Sequence, residues 1–152
     1  MLDSIDRRIL AVLREDGRIT NQDLSQRVGL SPTPCLRRLK RLEETGVIQG
    51  YTAVVDPKAY GLPFSVFVSV RLTQQNQEQI AEFEKAVESW SEVAECYLMT
   101  GSQDYLLRVV TDGIEGYERF LKQKATRLKC IQSVESNFAL ATIKKRSGLP
   151  PV

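Results

Sequence analysis

Four cations within five residues, Arg37, Arg38, Lys40 and Arg41, with no acid before Glu43, form the densest one-sign cluster in the chain. The chemistry open to such a cluster is polyanion recognition, because guanidinium and ammonium groups neutralise phosphates or donate to guanine edges. The same run also fits a solvated basic helix face that needs no partner. Other chemistry is poorly provided for. The 152 residues include no histidine, which removes the commonest general base and the commonest metal ligand. The three cysteines, Cys35, Cys96 and Cys130, are odd in number and widely spaced, so they suit neither a disulfide framework nor a zinc site and are expected as reduced, buried thiols. No Gly-rich phosphate loop and no nucleophile beside a base is present. The expectation is a chain with no catalytic residues, no metal and no cofactor.

The element that must carry the cations is SPTPCLRRLKRL, residues 31–42. Ser31 can cap it and Pro32 takes the first helical position. Pro34 still lies in the first turn, where a missing N–H breaks no intrahelical bond. Cys35, Leu36, Leu39 and Leu42 form an apolar stripe, and Thr33, Arg37, Lys40 and Arg41 fall opposite with Arg38 close by. Upstream, Asp3 and Asp6 start a helix with Ile5, Ile9, Val12 and Leu13 on one side, closed by Gly17. Thr20 and Asp23 start another, short helix with Leu24 and Val28 one turn apart, stopped by Gly29. Two helices joined by a turn of about four residues, the second beginning abruptly, predict a helix-turn-helix. Its first turn would meet base edges of double-stranded DNA. Ser31, Thr33, Pro34, Arg37, Arg38, Lys40 and Arg41 are the candidate DNA-binding residues. After Thr45-Gly46, VIQGYTAVVDP alternates like a strand pair, a small wing with its turn at Gln49-Gly50. The connector Lys58 to Pro63 follows. The predicted partition is 1–50 for DNA binding, 51–63 for wing strand and linker, and 64–152 for ligand binding and self-association.

Residues 64–152 predict strand, helix, two strands, helix and strand. Phe64 to Leu72 alternates, and Ile80, Phe83, Ala86, Val87 and Trp90 make one helical stripe. Val93 to Thr100 and Tyr105 to Thr111 flank the turn at Gly101 to Asp104. Tyr117, Phe120, Leu121, Ala125 and Leu128 make a second stripe, and Val134 to Lys144 a last strand. This is the ferredoxin-like βαββαβ order with both helices on one face of an antiparallel sheet, and the fold class is α+β. Both sides of Tyr105 to Thr111 are largely apolar, so the uncovered sheet face predicts self-association as a two-fold dimer. Net charge is only +2, and residues 1–62 hold ten Lys/Arg against eight Asp/Glu while residues 63–152 hold eleven of each. Residues 76–95 carry six acids and one Lys, and residues 119–129 five cations and no acid. These helices neutralise each other either within one subunit or between two.

VGLSPTPCLRRLKRLEETGVIQGYTA followed by ECYLMTGSQDYLLRVV resembles the Lrp/AsnC ("feast/famine") family of bacterial transcription regulators over essentially the whole chain. The resemblance implies dimers that assemble further, usually to octamers, and bend or wrap DNA. It implies an amino-acid effector in clefts between dimers near a Gly-x-x-Asp-Tyr turn, matched here by Gly101, Asp104 and Tyr105, with Tyr97, Met99 and Thr100 leading in. It also implies a bacterial, cytoplasmic, nucleoid-associated protein, in keeping with the absence of an export signal or an apolar run of ~18 residues.

An amino acid presents an ammonium, a carboxylate and a side chain, so its site needs an anion, N–H or hydroxyl donors and an apolar wall. Asp104 offers the anion, and the turn of Thr100, Gly101, Ser102 and Gln103 offers donors. Leu98, Met99 or a neighbour's Ser133 and Ser136 offer the wall. Alternatively MTGSQDY is only a hairpin turn with Gly and Asp in turn-favouring places. Leu98 and Met99 favour leucine or another apolar amino acid, with cysteine, alanine and proline left open. The tail KKRSGLPPV resembles those of family members governing amino-acid catabolism. Two other readings stay open: an architectural DNA-coating protein without an effector, and a small enzyme or stand-alone metabolite-binding module on the ferredoxin-like domain.

Overall fold

A computed structural model describes residues 2–144 of the chain, so the tail KKRSGLPPV lies, beyond Lys144, outside the described residues. The chain divides into two compact units, one running up to Val54 and the other over Val55–Ile143.

The first unit holds α1 (Ser4–Glu15), α2 (Asn21–Val28) and α3 (Pro32–Glu44). Each begins where the sequence offers a start. Asp3 caps α1 through a complete capping box, its side chain accepting from Ile5 and Asp6 N–H while the Asp6 carboxylate accepts from Asp3 N–H. Thr20 caps α2 by accepting from Asp23 N–H at 3.1 Å. Gly29 closes α2 with φ 71°, the left-handed conformation that glycine adopts without a Cβ clash. Ser31 occupies the cap position of α3 but makes no side-chain cap bond. Pro34 at N3 removes one of the two amides, N2 and N3, that a cap oxygen can bond. Ile9, Val12, Leu24, Val28, Cys35 and Leu42 bury together as the core of this unit.

The second unit is β1 (Phe64–Leu72), α4 (Gln77–Glu88), β2 (Val93–Leu98), β3 (Tyr105–Thr111), α5 (Ile114–Gln123) and β4 (Ile131–Phe138). The four strands lie in the order β2-β3-β1-β4, every neighbouring pair antiparallel, which is the ferredoxin-like arrangement. Val66, Val68, Val70 and Leu72 of β1 and Tyr105, Leu107 and Val109 of β3 bury among Phe83, Val87, Trp90, Tyr117 and Phe120 of the helical layer. Phe83 meets Trp90 edge-on at 6.3 Å, and Trp90 meets Phe120 edge-on at 5.4 Å. Such pairs add about 0.5–1.5 kcal/mol each to their area burial.

Several boundaries differ from the sequence reading. The predicted wing pair is absent: Val47 to Pro57 contains no strand, and Tyr51, Val54 and Val55 are exposed. Ile48 packs on the helical core and Tyr51 hydrogen-bonds Glu43 at 2.9 Å, but a lone two-stranded pair with no third strand is marginal in water. The last strand runs Ile131–Phe138 rather than Val134 to Lys144, because its partner β1 begins only at Phe64, beside Pro63, leaving Leu140 and Ile143 unpaired and exposed. The second helical stripe breaks after Gln123, and its end, Ala125–Arg127, is a short 3-10 turn. All three thiols are free, but only Cys35 and Cys130 are buried. Cys96 is exposed because β2 is an edge strand. No helix among the described residues is long and apolar enough to cross a membrane.

Candidate DNA interface and effector site

In the first unit the connection from α2 to α3 is held from three sides. Gly29 N–H donates to Gln26 O and Leu30 N–H to Ser25 O, closing α2. The Asn21 side-chain N–H donates to Pro32 O at 2.9 Å, tying the start of α2 to the first turn of α3. That tether carries no sequence signal, since an asparagine at a helix start reads only as a good terminus. The core contacts of Cys35 and Leu42 then fix which face of α3 looks outward.

The outward face is narrower than the sequence implied. Thr33, Arg37 and Lys40, spaced as i, i+4 and i+7, are exposed, with Ser31 exposed and Pro34 half-buried at the leading end. Arg38 and Arg41 turn toward α1. Arg38 Nη1 donates to Asp6 Oδ1 at 2.9 Å and to Asp3 Oδ2 at 2.6 Å, and Arg41 Nη2 donates to Asp6 Oδ2 at 2.6 Å. The Asp6 side chain is only 1% exposed. The expectation that all four cations share one free surface is therefore corrected. A buried carboxylate costs several kcal/mol unless paired, and here it is paired twice. Asp6 was legible only as a first-turn acid; its cationic partners lie more than thirty residues away. The Asp3 carboxyl is lowered to about 2 by the Asp6 N–H it accepts and by Arg38.

In the second unit the residues picked for an effector separate into two groups. Tyr97, Leu98, Met99, Thr100, Gly101 and Ser102 form an exposed ridge at the β2–β3 hairpin, with Gly101 at φ 111° making the turn. Gln103 is half-buried, and its side-chain carbonyl is buried without a hydrogen-bond partner. Asp104 and Tyr105 point inward. Asp104 Oδ2 accepts from the buried Leu72 N–H at 2.7 Å, and Oδ1 accepts from the Gln75 side chain. Its carboxylate joins the end of β1 to the hairpin and accepts two hydrogen bonds within the chain. The Tyr105 ring packs on Phe83 at 4.5 Å and its hydroxyl donates to Glu84 at 2.8 Å. Burial and that carboxylate push the Tyr105 phenol up.

Ser133 and Ser136 do not share a wall. Ser133 lies opposite Arg71 on the open sheet face, whereas Ser136 lies opposite Val68 on the helix side and hydrogen-bonds Tyr117. An odd separation along a strand forces this split. The open face carries Phe67, Tyr97, Leu106 and Val110, with Arg108 and Glu95 paired at 2.7 Å among them. No helix of this unit covers it. Of the basic residues in 119–129, Lys124 pairs with Glu92 at 2.6 Å inside the subunit. Burial raises the Glu92 carboxyl, but Lys124 and a backbone bond outweigh it and the net shift is downward. That pair borders a cleft of about 230 Å³ floored by Val110, Thr111 and Phe120, which none of the predicted effector residues lines. Among the described residues no group of His, Cys, Asp and Glu could hold a metal ion.

Residues 2–49 match the winged helix-turn-helix DNA-binding family, and residues 65–149 match the Lrp/AsnC ligand-binding domain. The chain is 44% identical over 149 residues to the Bkd operon transcriptional regulator of Pseudomonas aeruginosa, covering 98% of this chain and 97% of that one. It is 40% identical to the leucine-responsive regulatory protein of Escherichia coli, covering 97% and 90%. A Neisseria meningitidis transcriptional regulator, solved as a complex with L-Met, superposes with TM-score 0.94 at 37% identity over 99% of this chain and 97% of that one. A helix-turn-helix with an outward cation stripe, a ferredoxin-like sheet with one open face, and relatives matched from end to end agree: the chain belongs to the Lrp/AsnC family of DNA-binding transcriptional regulators.

Proposed function

We propose that this regulator reads specific DNA sites through α3 and changes its assembly or DNA affinity when an amino acid binds between two of its dimers. Thr33, Arg37 and Lys40, with Ser31 and Pro34 at the leading end, approach the major groove, and Arg37 and Lys40 contact phosphates or guanines. A second copy covers the open sheet face at Phe67, Leu106 and Val110, and dimers assemble further, up to octamers. The protein catalyses no reaction, holds no cofactor and works on the bacterial nucleoid in the cytoplasm. Residues 1–50 serve DNA binding, 51–63 the link, and 64–152 the effector and self-association.

The observation that carries the effector reading is the exposed ridge from Tyr97 to Ser102, which offers Leu98 and Met99 as apolar surface and the turn as donors but encloses nothing alone. A site that one chain leaves open is completed by another copy. The L-Met bound to the Neisseria regulator supports an apolar amino acid as the effector. Thermal unfolding of the purified protein against each of the twenty L-amino acids at millimolar concentration tests this. A ligand at a hundred times its Kd stabilises by about 2.7 kcal/mol. A midpoint shift confined to one or a few apolar amino acids, with altered retention of a DNA site, supports the proposal. No shift with any of them moves the reading to a DNA-coating protein without an amino-acid effector.

A further inference from the structure

We infer that Asp6 sets the strength and salt dependence of DNA binding by α3 by withholding Arg38 and Arg41 from the phosphate backbone. This rests on the reading of α3 as the DNA-contacting helix. Sequence counting gives α3 four cations, and a phosphate chain would feel all four if they were free. The structure groups Arg38 and Arg41 with Asp3 and Asp6 in a set whose formal charge is zero. Every oxygen of the Asp6 carboxylate is used: Oδ1 by Arg38, and Oδ2 by Arg41 and the Asp3 N–H. The set is anchored at its buried end, since Asp6 cannot exchange these partners for water. Arg41 is nonetheless 53% exposed, so the Asp6 charge and not depth of burial holds it back. Among the described residues Arg37 and Lys40 have no acid partner, and they remain on the outward stripe.

The consequence is thermodynamic. Phosphate contacts raise affinity for every sequence alike, and each one neutralised adds about 0.9 to the slope of log K against log salt. Base contacts and DNA shape discriminate. A helix with two engaged cations instead of four binds every sequence more weakly and with a shallower salt slope while keeping its base readers, so base contacts make up a larger share of its binding free energy. Asp6 is thus a positioning residue that touches no DNA.

The test uses the full-length protein, a DNA fragment selected by the wild type from a random pool, and a scrambled fragment, titrated by anisotropy across about 50–200 mM salt. R37Q and K40Q are expected to lower the slope by about 0.9 per bound helix, and R41Q to leave it unchanged. D6N is expected to raise the slope and to tighten scrambled and selected DNA by similar factors. The double variant D6N/R41Q then returns toward the wild-type slope, which loss of a merely structural contact would not produce. If D6N fails to fold, R41Q decides: a fall equal to that of R37Q overturns the role of Asp6. An unchanged slope in folded D6N overturns it as well. A wild type that selects no DNA sequence at all overturns instead the reading of α3 on which this rests.

Discussion

Replacing Asp104 separates a structural carboxylate from a ligand-binding one. In the folded chain Asp104 is 8% exposed and accepts from the Leu72 N–H at the bulged end of β1. Asp104→Ala strands that buried N–H. A hydrogen bond to a charged group contributes about 1.5–3 kcal/mol, and an orphaned buried donor costs about 1–3 kcal/mol. The Gln75 side chain, which is exposed, recovers its bond from water and adds little. The expected loss is about 3 kcal/mol, or about 12–24 °C at about 4–8 °C per kcal/mol for a domain of this size. Asp104→Asn keeps an accepting oxygen for Leu72 and should lose about 1 kcal/mol. Urea unfolding followed by Trp90 fluorescence reads this unit cleanly, because Trp90 is the sole tryptophan and packs in its core. The measurement is made without any amino acid present. If Asp104→Ala unfolds at the wild-type midpoint and only loses a ligand-induced shift, the carboxylate is free for an effector and the structural reasoning is refuted.

Thr20→Ala should cost about 1 kcal/mol by removing the α2 cap, while Ser31→Ala should stay within about 0.5 kcal/mol because its hydroxyl makes no cap bond; chemical denaturation of both distinguishes a cap by position from a cap by bond. Phe83→Ala should destabilise the second unit by about 3–5 kcal/mol, since the ring is fully buried between Trp90 and Tyr105, and Trp90 fluorescence again reports it. Asp3 holds its proton less tightly folded than unfolded, at about 2 against an ordinary 3.8. Its contribution is therefore complete above about pH 4 and lost as pH falls toward about 2. Melting curves of wild type and Asp3→Asn should converge over that window, and parallel curves would contradict the assignment.

Much of the architecture was local and hence readable. The α1 and α2 caps are made by side chains three residues from the amides they bond, and Gly29 stops α2 by its own backbone freedom. Alternation in Phe64–Leu72 and the stripes ending at Trp90 and Phe120 announce their burial because a strand repeats every two residues and a helix every 3.6. The order of those elements and the run SPTPCLRRLKRL were enough to point to the family. What the sequence could not decide was which partner each polar group finds. Arg37, Arg38, Lys40 and Arg41 read alike along the chain, yet a carboxylate on α1 takes two of them, a choice set by how α1 packs on α3. Asp104 read as an anion awaiting a ligand, and only the pairing of β3 beside β1 brings it to the Leu72 amide. The wing segment alternates correctly but finds no third strand to pair with, so period alone did not make it a strand pair. Helix starts, turns and periodicity are properties of a few neighbouring residues; ion pairing and strand closure compare groups far apart in the chain, and packing brings those groups within reach.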